Sequence, residues 1–167
     1  MYLVLAAQYE SFLLPMPVIL SLPTGIFGAF LLLLMMGLEN NIYAQVAMIM
    51  LIGLLGKNAI LIIEFAALRH REGKTPLQAA IEGATERLRP ILMTSFAFIA
   101  GLIPLLFASG AGAVGNKTIG AAAAGGMLFG TIFGVVIIPG LYVIFATIAE
   151  KFSKKGTKEE KPFTEVI

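Results

Sequence analysis

Four stretches of this chain, 13–38, 41–69, 90–109 and 119–149, are almost unbroken runs of apolar residues, and short polar breaks separate them. A helix needs about 20 apolar residues to cross the hydrocarbon of a bilayer, so each stretch predicts a span. Pro15 and Pro17 stand at the start of the first, where a missing N–H costs little. Pro23 is interior and predicts a kink, with Gly25 and Gly28 allowing a neighbouring helix to come close. Glu39, Asn40 and Asn41 form a very short turn, and the second stretch is long enough to tilt or protrude. Residues 1–7 are apolar too but give only about 10 Å of helix, which predicts the end of a span that begins outside this chain.

Between the second and third stretches Gly73 predicts a helix end. Thr75, Pro76 and Gln78 then supply an N-cap, a proline in the first turn and a capping-box glutamine. Leu77, Ala80, Ile81, Ala84 and Leu88 recur at three- and four-residue steps opposite Glu82 and Glu86. This predicts a short amphipathic helix over about 76–88 lying on the membrane surface, with a separate span starting at Pro90 and containing Pro104. The 109–118 segment, SGAGAVGNKT, is a glycine-rich loop without the Gly-Lys-Ser/Thr ending of a nucleotide cradle. In the last stretch Gly126, Gly130 and Gly134 follow one another in four-residue steps, the spacing of a helix-packing face, and Pro139 predicts a bend. The fold class is therefore an all-α membrane protein, a polytopic transmembrane helix bundle over 1–149, followed by a charged tail at 150–167.

Composition agrees, with 58% hydrophobic and 13% charged residues against roughly 25% charged in a soluble domain. Having no cysteine excludes disulfides, thiolate metal sites and a cysteine nucleophile. No nucleophile–base pair or metal cluster is present, so an enzyme has no support. The one histidine, His70, stands among Arg69, Arg71 and Glu72 and reads as a solvated loop residue. Arg69, Arg71, Lys74, Arg87 and Arg89 flank one connection, and Lys151, Lys154, Lys155, Lys158 and Lys161 crowd the tail. Both are expected on the cytoplasmic side. Glu150, Glu159, Glu160 and Glu165 dilute the tail's charge, which favours a topology signal over nucleic-acid binding. Met1 is followed by no basic region and no small-residue cleavage site, so no signal peptide is expected.

The chemistry centres on Lys57, in the middle of the second span. An ammonium near the bilayer midplane costs about 2.5–3.5 kcal/mol even on a permissive scale. Glu64 lies on its face but two turns away, about 10.5 Å, too far for an ion pair, and is expected to pair instead with Arg69 and Arg71. Asn58 adjoins Lys57. Thr94 follows Arg87 by seven residues, on one helical face, although a threonine at that depth often bonds its own backbone. Together Lys57, Asn58, Arg87 and Thr94 make a polar lane typical of ion or proton pathways. Proton coupling also needs a carboxylate of movable pKa, and the chain has no aspartate and no mid-membrane glutamate. The titrating partner is expected on another helix.

The segments YLVLAAQYESFLLPMPVILSLPTGIFGA, IGLLGKNAILIIEFA, RLRPILMTSFAFIAGLIPL and SGAGAVGNKTIGAAAAGGM resemble the C-terminal membrane region of resistance–nodulation–division efflux pumps, of the hydrophobe/amphiphile, acriflavine-resistance branch. The resemblance covers about residues 2 to 149. It implies the end of an eighth membrane helix followed by the ninth to twelfth. It implies a relay in which Lys57 pairs with two adjacent aspartates on a fourth helix, with Asn58, Arg87 and Thr94 beside it. It further implies drug/proton antiport driven by the proton gradient without a cofactor, in the bacterial inner membrane with the C-terminus cytoplasmic. The implied partners are the rest of the subunit, two further copies in a homotrimer, a periplasmic adaptor, an outer-membrane channel and the lipid bilayer, with no nucleic acid. The rival reading is a small stand-alone membrane scaffold or pore that oligomerises through the 126–134 glycine face.

Overall fold

The computed structural model describes residues 2–9 and 12–156, and the distal tail, 157–167, lies outside the described residues together with Met1, Glu10 and Ser11. Five helices follow one another: α1 (Tyr2–Tyr9), α2 (Met16–Met35), α3 (Ile42–Arg71), α4 (Pro76–Leu106) and α5 (Ala113–Gly156), with no strand among the described residues. The last four are each long and apolar enough to cross a membrane.

The caps follow local chemistry. After α2, Leu38 N–H donates to Leu33 O (2.9 Å) and Gly37 N–H to Leu34 O (3.1 Å). This pair of bonds turns the chain out of the helix and needs the positive φ of 64° that Gly37 adopts readily. The Asn41 side chain then caps α3, accepting from Ala44 N–H at 3.2 Å. Thr75 caps α4 through Gln78 N–H, and Gly73 turns the intervening link at φ 93°.

Three expected boundaries are corrected. The surface helix at 76–88 and the span from Pro90 are one 31-residue helix, α4. Pro90 removes a single backbone donor, and the inward face stays in phase across it through Ala80, Gly83, Ile91 and Ser95, all buried. The glycine-rich loop is shorter than 109–118, because α5 already starts at Ala113, and α5 continues past 149 to Gly156. His70 belongs to the last turn of α3 and not to a loop.

α5 is the pivot of the bundle, packing against α2, α3 and α4. Its face of Ala121, Ala122, Ala123 and Ala124 is buried and runs into paired glycines. A β-carbon on Gly28 would lie 2.7 Å from Gly125 O, and one on Gly126 would lie 3.0 Å from Gly25 O. Backbones that touch this closely leave no room for side chains, which is how helices associate in lipid, where tails are as apolar as leucine. Gly130 belongs to the same contact, 3.2 Å from the Gly25 Cα by the same construction. Gly134 does not: its position meets only Ile138 Cδ1 at 3.5 Å, because it borders a small cavity instead of a neighbouring backbone.

Two apolar clusters result. One gathers Val18, Ala59, Ile62, Ala66, Ala80, Ile91 and Tyr142. The other gathers Ala29, Leu33, Ala47, Leu51, Leu55 and Met127. Asn58 sits in sequence between Leu55 of one and Ala59 of the other. The outer faces stay apolar and exposed, as at Phe27, Leu34, Ile49, Phe96 and Val136, which suits contact with lipid or further membrane helices.

Gly28→Val or Gly125→Val is expected to force α2 and α5 apart and lower the thermal midpoint of the chain in detergent, at about 1–3 kcal/mol for an overpacked contact. Gly134→Ala is expected to leave the midpoint unchanged. Equal effects at all three positions in a melting series would contradict the assigned contact face.

Candidate functional site

Residues four apart, or three, share a face of a helix, and two such faces meet in front of α5. α3 contributes Leu54, Lys57, Asn58 and Leu61, and α4 contributes Arg87, Pro90, Ile91, Thr94 and Phe98. Met127 of α5 closes the back of an open cavity of about 240 Å³. All four residues of the polar lane read from the sequence thus line one cavity. One water needs about 10–15 Å³, so the space can hold several.

Lys57 stands exposed to this cavity and makes no ion pair or hydrogen bond with any described residue. Beside it, Asn58 Nδ2 is buried without a partner, as is Arg87 Nε. The Arg87 guanidinium lies 3.8 Å from the centre of the Phe65 ring, where the π face stabilises the cation without neutralising it. The Thr94 hydroxyl donates within its own helix, to Ile91 O (2.9 Å) and Pro90 O (3.1 Å). Its lone pairs remain free to accept. Among the described residues no carboxylate lines this cavity.

A second open cavity of about 240 Å³, lined by Gln8, Glu64, Phe65, Leu68, Arg71 and Arg87, lies on the side of the basic connection. The expected pairing of Glu64 with Arg69 is not what forms. Arg69 instead bonds Glu86 at 2.5 Å and Glu72 at 3.1 Å, with Glu82 at 3.7 Å. Lys74 pairs with Glu82 as well. The carboxylates of α4's first turns are nearer in space, so Glu64 has no ion pair with a described residue, Arg71 included. Exposed pairs of this kind contribute little individually, about 0–1 kcal/mol, but together they tie the first turns of α4 to the end of α3.

Sequence reasoning missed two contacts. His70 Nδ1 lies 3.0 Å from Lys74 O and Nε2 lies 3.1 Å from Glu150 Oε1, which joins the ends of α3 and α5. Ser95 and Thr131 share a buried hydroxyl–hydroxyl bond of 2.8 Å between α4 and α5. Hydroxyls in apolar spans were a visible signal, but their pairing depends on helix rotation. Behind Asn58 a further, water-sized cavity is bordered by Ser21, Thr131 and Gly134.

Residues 1–146 match the AcrB/AcrD/AcrF family. The chain belongs to that family. Multidrug resistance protein MdtF of Escherichia coli (strain K12) is 45% identical over 154 residues, which is 92% of this chain and 15% of that protein. Toluene efflux pump membrane transporter TtgE of Pseudomonas putida is 47% identical over 161 residues, 96% of this chain and 15% of its own length. TtgB of the same species, also a toluene efflux pump membrane transporter, is 43% identical over 162 residues. The chain therefore spans about 15% of the length of these relatives. These AcrB/AcrD/AcrF proteins are resistance–nodulation–division transporters and not enzymes.

With no native cysteine, the chain allows a direct test of hydration. Leu61→Cys, on the cavity wall, is expected to react with a small hydrophilic thiol reagent at least roughly tenfold faster than the fully buried Ala59→Cys, since reaction needs a solvated thiolate. Equal rates in bilayer nanodiscs would show the cavity to be dry.

Proposed function

We propose that this chain supplies the cationic half of the proton-coupling site in an efflux subunit of the inner membrane, exporting amphiphilic compounds against inward proton flow. The observation that carries this is the single cavity holding Lys57, Asn58, Arg87 and Thr94 with no acid among the described residues that line it. An ammonium at that depth is stabilised only by negative charge close by. Family resemblance supplies that charge as two adjacent aspartates on another helix of the same subunit. With the acids ionised, Lys57 pairs with them. When a proton neutralises one, the attraction is lost, Lys57 releases and the helices on either side of the cavity repack. Asn58 offers a free N–H donor, and Arg87 holds a second positive charge at the cavity's basic end. No cofactor takes part, and the proton gradient supplies the energy.

The proposed setting is a homotrimer joined to a periplasmic adaptor and an outer-membrane channel, with the basic connection and the C-terminus cytoplasmic. The names of the relatives, multidrug resistance and toluene efflux, support apolar and amphiphilic cargo. The alternative, a stand-alone module oligomerising through its glycine face, has an observation against it. Gly126 and Gly130 already pack on α2 and α3 within the chain.

A suitable host for the test is MdtF with its matching segment replaced by this chain. Lys57→Ala there is expected to abolish proton-driven drug export while membrane insertion and trimer formation persist. Undiminished export would overturn the reading. Thr94→Val is expected to reduce export by no more than a few fold, because Thr94 already donates to its own helix, and the initial rate of dye efflux checks this.

A further inference from the structure

We propose that Glu64 is a proton-carrying residue of the pathway, passing protons between the Lys57 cavity and water at the basic end of the bundle. This rests on the proposed coupling role of Lys57. Arg87 lines both open cavities, so its side chain stands between them. Of the carboxylates on α3 and α4, Glu72, Glu82 and Glu86 are held by Arg69 or Lys74, whereas Glu64 has no ion pair with a described residue and lines the second cavity. The charged groups facing it are Arg71 on its own helix and Arg87 from α4. α1 adds the neutral Gln8, and neither α2 nor α5 lines the space.

Glu64 lies seven residues beyond Lys57, about 10.5 Å along the helix, a separation that cavity water can bridge. Arg87, pinned on the Phe65 ring next to Glu64, keeps a fixed positive charge at the junction. A hydronium is therefore disfavoured there, and a carboxylate just past the barrier is the group able to receive the proton. In the step itself, an excess proton carried by the cavity water passes to a Glu64 carboxylate oxygen, leaving neutral water behind and forming a neutral carboxylic acid. The same O–H then breaks, returning the carboxylate and delivering the proton to water on the far side. Nothing is oxidised or reduced.

The test uses the MdtF hybrid in proteoliposomes, measuring the initial rate of drug-coupled proton flux against pH on the side of the basic connection. Glu64→Gln is expected to lower the rate about a hundredfold, the low end of what a positioned acid–base group contributes, and to flatten the pH profile. Glu64→Asp is expected to restore most of both. Glu64→Cys provides a second arm: iodoacetate adds a carboxylate and is expected to restore flux, and iodoacetamide adds a neutral group of like size and is not. Full flux with an unchanged profile in Glu64→Gln, or equal rescue by both reagents, would overturn the proposal. Lys57→Ala, run in parallel, separates the two claims. Loss there with Glu64→Gln unaffected removes only the Glu64 step, and retention there removes the coupling site itself.

Discussion

Backbone contact between α2 and α5 at Gly25, Gly28, Gly125, Gly126 and Gly130 determines where every other helix can go. In lipid no hydrophobic force drives helices together, so association depends on close van der Waals approach. The glycines provide it, and the neighbouring alanine face lets α3 and α4 settle against the same helix. With α5 packed against α2, α3 and α4, the faces of α3 and α4 in front of it border the cavity that Lys57 faces. The scaffold is made of the smallest side chains, and the chemistry sits on the longer ones at its margin.

That margin is electrostatically incomplete. Lys57 and Arg87 bring two positive charges to one cavity that no carboxylate of the described residues lines. Arg87 is partly accommodated by Phe65, while Lys57 has no counterpart among the described residues. A charge at membrane depth without a partner is costly, and nearby negative charge would offset that cost.

At the basic end the polarity is reversed, and the charges are well matched. Arg69 at the end of α3 and Lys74 of the α3–α4 connection hold Glu72, Glu82 and Glu86, and His70 reaches Glu150 of α5. Three helices are tied there through side chains long enough to lie at an interface. The paired end and the unpaired middle divide the labour: one fixes the helices, and the other leaves charge free to respond.

Much of this was legible in the chain itself. Apolar runs located the four spans, because the bilayer imposes a length and tolerates no unsatisfied backbone. Gly73 and Thr75 marked helix ends, and Glu39, Asn40 and Asn41 the short turn between spans, through local hydrogen bonding and φ, which need no distant partner. Lys57, Asn58, Arg87 and Thr94 stood out as polar residues where polarity is expensive, and their seven-residue and adjacent spacings put them on usable faces. What the sequence could not determine depended on rotation and proximity between helices. The continuity of α4 through Pro90 comes from packing that outweighs one lost backbone bond. Gly134 shares the spacing of Gly126 and Gly130 but borders a small cavity where no neighbouring backbone comes close. Glu64 is left unpaired because Glu72 and Glu86 are closer to Arg69 in three dimensions. Local rules and the solvent decide which segments are helical; only tertiary contact decides which charges find each other and which remain free.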